Sequence, residues 1–348
     1  MIDLKKRIDA FVKLGLFITE QLENNFTCNT ELSELYYSAE SKNAWFTAES
    51  ITKAFNGIAF ILNEKDILSW VNSYPFLLQN RSPKRIAVIM AGNIPMVGFH
   101  DALTVLMSGN IMLAKLSSKD EFLLPWLLKQ LCVIEPDFLS YIRFEPSILK
   151  DFDAVIATGS NNSSRYFDFY FKKYPSIIRK NRVSVAVISG DETAEDYAKL
   201  ADDIFSYFGL GCRNVSKIYV SEDIDMVKVI SYFDNYSKVN AHNKYLNNYD
   251  YNKSIYLLNQ DKHFDNGYAL FKEDENLFSP IAVVFYEKYK EIRNLDGWLA
   301  RNSVNIQCVV TNLDLTNSKT IGFGKTQMPA IWDYADDVDT MSFLETLI

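Results

Sequence analysis

The strongest constraint on the fold is a change of texture at Lys84. Before it, from residue 1 to about 80, apolar residues recur at helical spacing. Leu4, Ile8, Phe11, Ile18 and Leu22 fall close to one face, and a second helical stretch runs from Thr47 to about Asn72 with Thr47 as its N-cap. After Lys84, short apolar runs alternate with helical stretches. Arg85–Met90, Ile111–Leu116 and Ala154–Ala157 read as buried strands. Phe99–Met107, Glu121–Leu131 and a segment starting among Asn161–Ser164 read as helices. A second series begins at Val183, with strands at Val183–Ser189, Lys217–Val220, Ile255–Leu258, Tyr268–Phe271, Ile281–Tyr286 and Ile306–Thr311. Helices over Thr193–Phe208 and Ile224–Tyr236 fit between them. Such alternation predicts an α/β protein with parallel sheets covered by helices. The expected domains are 1–182, with the helical N-terminus, then 183–331, and an acidic segment 332–348 whose Phe343, Leu344 and Leu347 dock on a core. The strands of the first series end in polar loops bearing Gly or Ser, and open α/β sheets bind ligands beyond the carboxyl ends of their strands.

Composition narrows the function classes. The chain has 348 residues and a net charge of −8, with acidic and basic residues interspersed. It has no basic stripe, so nucleic acid is not an expected partner. Cys28, Cys132, Cys212 and Cys308 lie far apart without Cys-x-x-Cys spacing, and the three histidines are scattered. Neither a sequence-local zinc site nor a disulfide framework is expected. The N-terminus lacks the apolar core of a signal peptide, and no apolar run is long enough to cross a bilayer. The expectation is a cytoplasmic protein with reduced thiols and no metal.

Four segments carry candidate chemistry. Phe208-Gly209-Leu210-Gly211-Cys212-Arg213-Asn214 places a cysteine in a Gly-flanked turn beside a cation. A thiolate is stabilised in such a setting and becomes a nucleophile; the bland alternative is a small buried hydrophobe. Met90-Ala91-Gly92-Asn93-Ile94-Pro95-Met96 follows a strand, and an Asn amide there can donate to a developing oxyanion or merely shape a turn. Lys115, Ser117 and Ser118 end a strand with a cation and two hydroxyls, suited to ribose or phosphate or simply solvated. Thr158-Gly159-Ser160 runs into a helix N-terminus, which is an anion site or an ordinary cap. Gly322-Phe323-Gly324-Lys325-Thr326 is set aside as a phosphate loop, because the required first glycine falls at Lys319 and Pro329 stops a following helix.

In this order the motifs resemble the aldehyde dehydrogenase superfamily. Asn93-Ile94-Pro95 is similar to its Trp-Asn-x-Pro segment, and the run from Gly109-Asn110 to Lys115 and Ser117 to its Gly-Asn-x-x-x-x-Lys-Pro-Ser. Thr158-Gly159-Ser160 matches Thr-Gly-Ser, Gly209-Leu210-Gly211-Cys212 resembles Gly-Gln-x-Cys, and Glu275-Asn276-Leu277-Phe278-Ser279-Pro280 resembles Glu-Glu-x-Phe-Gly-Pro. Within the superfamily the chain looks most like the acyl-CoA reductases of the bacterial bioluminescence type. Gly211-Cys212-Arg213-Asn214-Val215-Ser216-Lys217 and the tail from Gln327-Met328-Pro329 to Asp339-Thr340 carry that likeness.

The resemblance implies an aldehyde dehydrogenase-like fold and NADPH-dependent reduction of an acyl-CoA, or another long-chain acyl thioester, to the aldehyde. It implies Cys212 as nucleophile, with its backbone N–H and the Asn93 side chain as oxyanion donors. Lys115, Ser117 and Ser118 would face the adenosine ribose, and Thr158, Gly159 and Ser160 the pyrophosphate. Glu275 or Asn276 would face the nicotinamide ribose, an ungapped match favouring Asn276. An acyl-activating synthetase is an implied partner, and homo-oligomerisation is left open. Two departures qualify the assignment. Hydrolytic members carry a water-activating Glu in Glu-Leu-Gly-Gly-Lys, where this chain has Ile178-Arg179-Lys180-Asn181-Arg182. NAD-preferring members often have Glu three residues after the cofactor lysine, where this chain has Ser118 with Lys119 beside it. The alternatives are an oxidative aldehyde dehydrogenase and a non-catalytic acyl-carrying subunit.

Overall fold

The computed structural model describes residues 1–23 and 30–347, which leaves Cys28 outside the described residues. The chain divides into two compact units, one formed by Met1–Asn181 with Pro329–Ile348 and the other by Arg182–Met328.

The first unit opens with four helices, α1 (Leu4–Glu23), α2 (Thr30–Lys42), α3 (Ala48–Ile61) and α4 (Glu64–Asn72). The single stretch expected from Thr47 to Asn72 is two helices. Thr47 caps α3 by accepting the Ser50 N–H, and Asn63 breaks the run by accepting the Asp66 N–H at 2.9 Å to start α4. The sheet then builds from β1 (Arg85–Ile89), α5 (Phe99–Met107), β2 (Ile111–Lys115), α6 (Leu123–Ile134), β3 (Ile142–Phe144), β4 (Ala154–Thr158), α7 (Asn161–Tyr170) and β5 (Ser176–Arg179). Its order is β3-β2-β1-β4-β5, with every pairing parallel. The short β3 and β5 were not expected from the sequence. Ala87, Leu113, Val155 and Ala157 pack into a core in which each fully buried Val or Leu contributes about 1.5–3 kcal/mol.

The second unit comprises β6 (Val183–Ile188), α8 (Ala194–Phe205), β7 (Val215–Ser221), α9 (Met226–Ser231), α10 (Asn243–Asn259), β8 (Phe264–Asp265), β9 (Leu270–Glu273), β10 (Val283–Tyr289), α11 (Ile292–Arg301), β11 (Ile306–Val310) and β12 (Thr320–Ile321). The sheet order is β12-β11-β6-β7-β10-β9-β8, parallel except for the β8–β9 pair. Two expectations are corrected here. Ile255–Leu258 is not a strand but the end of α10. The buried Tyr245, Tyr249, Asn252 and Tyr256 line one helical face, and a short apolar run alone cannot distinguish the two structures. The helix expected over Thr193–Phe208 ends at Phe205, and that over Ile224–Tyr236 is the short α9 followed by a 3₁₀ segment, Asp234–Ala241.

The chain returns to the first unit at Pro329 and ends with α12 (Thr340–Glu345). This segment is tied in by side chains. Trp70 Nε1 donates to the Tyr334 hydroxyl at 2.7 Å, Tyr74 donates to Asp339 at 2.9 Å, and Arg179 Nη2 donates to Thr340 at 2.9 Å. No helix among the described residues is long and apolar enough to cross a membrane.

Candidate active site

In the first unit the order β3-β2-β1-β4-β5 reverses direction between β1 and β4, the switch point where open sheets leave a crevice at their carboxyl edge. Ile89 at the end of β1 pairs with Lys115 on one side and with Ala157 on the other. The loops bearing Asn93, Ser117–Ser118 and Thr158–Ser160 therefore leave neighbouring strands at one edge. Gly92 shows how closely two of them pack: a Cβ there would lie 2.6 Å from the Ser117 hydroxyl. The Asn93 loop includes Met96 in the left-handed region (φ 54°), held by its N–H donating to Asp120 at 2.7 Å. Burial pushes the Asp120 carboxyl up to about 6, against the pull of the N–H groups it accepts. Asn93 itself is exposed.

Lys115 is half-buried and donates to the Ser147 carbonyl at 2.7 Å; Ser118 and Lys119 face solvent. Ser160 is the N-cap of α7, its Oγ accepting the Ser163 N–H at 3.2 Å. Gly159 presses on that helix so tightly that a Cβ would sit 2.9 Å from the Phe167 ring. The donor set is one ammonium, four hydroxyls and the first N–H groups of a helix, which is chemistry suited to ribose and phosphate.

The second unit holds Cys212 by a different device. After α8 the backbone turns through three successive left-handed residues, Tyr207 (φ 51°), Phe208 (φ 59°) and Gly209 (φ 76°). For the two aromatic residues this costs roughly 1–2 kcal/mol each. Asn214, 2 % exposed, offsets the cost. Its Nδ2 donates to the carbonyls of Asp203, Ile204 and Ser206, at 3.1, 3.3 and 2.8 Å, and its Oδ1 accepts the Gly211 N–H at 2.8 Å. The last carbonyls of α8 and the Gly211–Asn214 turn are thus held by one amide. Cys212 sits half-buried in that turn, and its carbonyl accepts the buried Ser184 hydroxyl at 3.1 Å. Arg213 sends Nη1 to the buried Cys308 thiol at 3.5 Å, so the cation that adjacency assigned to Cys212 is engaged by another thiol.

The Glu275 loop follows β9. Asn276 is folded back, its N–H and side-chain amide both donating to Asp274, at 3.0 and 2.8 Å. Glu275 is exposed, and its carbonyl accepts the buried Lys217 ammonium at 2.9 Å. Sequence reasoning missed Ser184, Asn214, Ser216 and Lys217. The last three lie within five residues after Cys212, but their partners are distant in the chain and spacing does not show them.

The segment expected to stand where hydrolytic relatives carry their base is β5. Ile178 is half-buried there, and Arg179 is not a loose cation but is ion-paired at 2.5 Å with the buried Asp101. Glu192, Glu273 and Glu275 are the carboxylates that could stand in for that base; Glu192 has both oxygens engaged by the Ser189 and Gly190 N–H groups at 2.8 Å, and Glu273 and Glu275 are exposed. The Gly322–Thr326 segment is also accounted for. Asp203 on α8 accepts from Gly324 N–H (2.6 Å), Thr326 N–H (3.1 Å) and the Thr326 hydroxyl (2.7 Å), so the loop is a structural latch. Among the described residues no His, Cys, Asp and Glu side chains cluster to hold a metal.

This architecture is that of the aldehyde dehydrogenases. Aldehyde dehydrogenase 21 from Physcomitrella patens, in complex with succinate, is 14 % identical and superposes with a TM-score of 0.64 over 92 % of this chain and 77 % of its own. An NADP-dependent enzyme from E. coli is 11 % identical, with a TM-score of 0.64 over 90 % and 74 %. The glyceraldehyde-3-phosphate dehydrogenase GapN from Methanocaldococcus jannaschii, complexed with NADP, is 15 % identical, with a TM-score of 0.60 over 90 % and 77 %. At such identities the likeness is one of fold. No curated protein sequence matches the chain. Residues 30–233, more than half of the chain and including Cys212, match the family described as Acyl-CoA reductase (LuxC), and the chain belongs to that family of enzymes.

Proposed function

We propose that this enzyme reduces a long-chain acyl-CoA to the aldehyde through an acyl group carried on Cys212, using NADPH. The observation that carries the reading is the Gly211–Asn214 turn, which holds a half-buried cysteine just after the left-handed Tyr207–Gly209 segment in a chain of the acyl-CoA reductase family. The Cys212 thiolate attacks the acyl carbonyl, a C–S bond forms, and CoA leaves as its thiolate. One thioester replaces another, so little driving force is needed. The Asn93 amide and the Cys212 N–H are the proposed oxyanion donors. The nicotinamide cofactor supplies a hydride when bound. The thiohemiacetal oxyanion then collapses, its C–S bond breaks, and aldehyde and Cys212 thiolate are released.

For the cofactor, Lys115, Ser117 and Ser118 would hold the adenosine ribose, and Thr158, Gly159 and Ser160 with the α7 N-terminus the pyrophosphate. Glu275 is the better candidate for the nicotinamide ribose, because the Asn276 amide is already bound to Asp274. Ser118 leaves room for a 2′-phosphate that a carboxylate there would repel. With Ile178 in place of a general base worth about 10²–10⁴-fold, the acyl-enzyme survives to be reduced.

The test is mass spectrometry after incubation with a long-chain acyl-CoA and no NADPH. The adduct is expected on Cys212. Burial pushes the Cys132 thiol up and Cys308 is enclosed, so both should remain unmodified. An adduct on another cysteine, or full activity in Cys212→Ala, would remove the mechanism.

A further inference from the structure

Lys217 is the oddest residue of the second unit: its side chain is fully buried, yet it carries an ammonium group. Lysine is almost never enclosed unless paired, and an apolar residue would fill the same space more cheaply. Its partners explain its presence. Nζ donates to the Glu275 carbonyl at 2.9 Å, pairs with Glu287 on β10 at 2.5 Å, and lies 4.9 Å from the centre of the Tyr219 ring. The residue before it does the same kind of work, since the Ser216 hydroxyl donates to the Leu277 carbonyl at 2.7 Å.

Successive residues of a regular strand point to opposite faces, so neighbours do not normally reach the same loop. Here the ladder is irregular. Ser184 of β6 pairs with Val215, but Val185 pairs with Lys217, which leaves Ser216 as the extra residue of a β-bulge. A bulge re-aims side chains, and this one turns Ser216 and Lys217 together onto the backbone of residues 275–277. The bulge begins three residues after Cys212, on the strand that leaves its turn.

We infer that Ser216 and Lys217 are positioning residues, which fix the Glu275 loop to the strand that carries Cys212 so that the nicotinamide half of the cofactor is held in register with the nucleophile. This rests on the roles proposed above for Cys212 and Glu275. Neither Ser216 nor Lys217 need touch the cofactor. They grip main-chain carbonyls and leave the Glu275 carboxylate free to reach a ribose. Glu287, partly exposed, neutralises the buried cation without releasing it from the loop.

The experiment compares direct binding of NADPH, followed by its fluorescence, with binding of 2′,5′-ADP, which contains only the adenosine half. Acylation of Cys212 by acyl-CoA without cofactor is followed in parallel. In Lys217→Met, NADPH binding should weaken by about tenfold, the effect of one lost charge-assisted bond. Binding of 2′,5′-ADP and the acylation rate should stay unchanged. Ser216→Ala, which removes one hydroxyl and threatens the fold least, should shift NADPH binding in the same direction by about threefold. Lys217→Arg should restore most of the loss. Equal weakening of both ligands, or loss of acylation along with binding, would mean that the pair only stabilises the sheet. Unchanged NADPH binding in Lys217→Met and Ser216→Ala would equally overturn the inference. Should the unsubstituted enzyme bind no NADPH, or acylate elsewhere, the proposed function would fail and this role with it.

Discussion

The two units hold their candidate residues in opposite ways. In the first, Asn93, Ser117, Ser118 and Ser160 lie on loops that leave strands at their carboxyl ends, and the support is distributed. Gly92 packs on Ser117, Gly159 packs on Phe167, Ser160 caps α7, and Asp120 fixes Met96. In the second, Cys212 precedes the strand β7, and one buried amide, that of Asn214, ties the end of α8 to the turn that holds it. Distributed support tolerates substitution and admits a ligand by small adjustments. A turn tied to its preceding helix at one point is set by few contacts, which suits the role proposed for Cys212.

The largest expected effect attacks the concentrated support. Asn214→Ala leaves the Asp203, Ile204 and Ser206 carbonyls and the Gly211 N–H without their partner. It should cost about 3 kcal/mol in urea denaturation and abolish Cys212 acylation. If it costs no more than a cap in the first unit, the contrast is wrong. Next, Ser118→Glu should leave stability unchanged while weakening NADPH roughly ten- to a hundredfold relative to NADH, read in a binding titration. Equal binding of the two cofactors before and after would show that the ribose lies elsewhere.

A smaller effect concerns pH, because each unit buries an aspartate that holds a loop and is pushed up by burial. Burial pushes both Asp120 and Asp203 up to about 6, with backbone and hydroxyl donors pulling the other way. A carboxyl whose folded value exceeds its unfolded one binds its proton more tightly when folded. The stability it contributes is complete below about pH 4 and is lost as pH rises through about 6. Asp203→Asn should therefore cost about 1 kcal/mol more at pH 5 than at pH 7, measured by denaturation at both, and Asp120→Asn should behave alike. A larger cost at pH 7 would reverse the sign and remove the argument. The smallest effect is Ser160→Ala, the loss of one cap, at about 1 kcal/mol, which sharpens the comparison with Asn214 directly.

The same contrast explains what could be read in advance. β1, α5, β2, β4 and β6 were legible within a residue or two, because buried parallel strands are continuous apolar runs and their loops carry Gly, Ser and Asn. The Cys212 turn was legible as a motif but not as a structure. Gly209 takes the positive φ expected of it, but nothing in Tyr207-Phe208 announces that two aromatics adopt the same region. Around it, Asn214 reaches back to the end of α8 and Phe208 packs on His242 and Tyr245, contacts that exist only after folding. Lys217 was hidden for a similar reason, since a lysine inside an apolar strand reads as a strand edge until its partner is in place. Nor does any spacing in the sequence announce that the Asn276 amide folds back onto Asp274.

The chain path also bears on the order of events during synthesis. The second unit is one continuous stretch, whereas the first is completed only by the residues after Pro329. Until that segment leaves the ribosome, Trp70 Nε1 and the Tyr74 hydroxyl lack Tyr334 and Asp339, and Arg179 lacks Thr340. The unit begun first is therefore completed last, although its sheet, β1 to β5, is already synthesised by Arg179. A nascent chain halted before Pro329 should present a closed second unit beside a first unit with partly unpaired polar groups, and hence a substrate for chaperones where the released chain is not one.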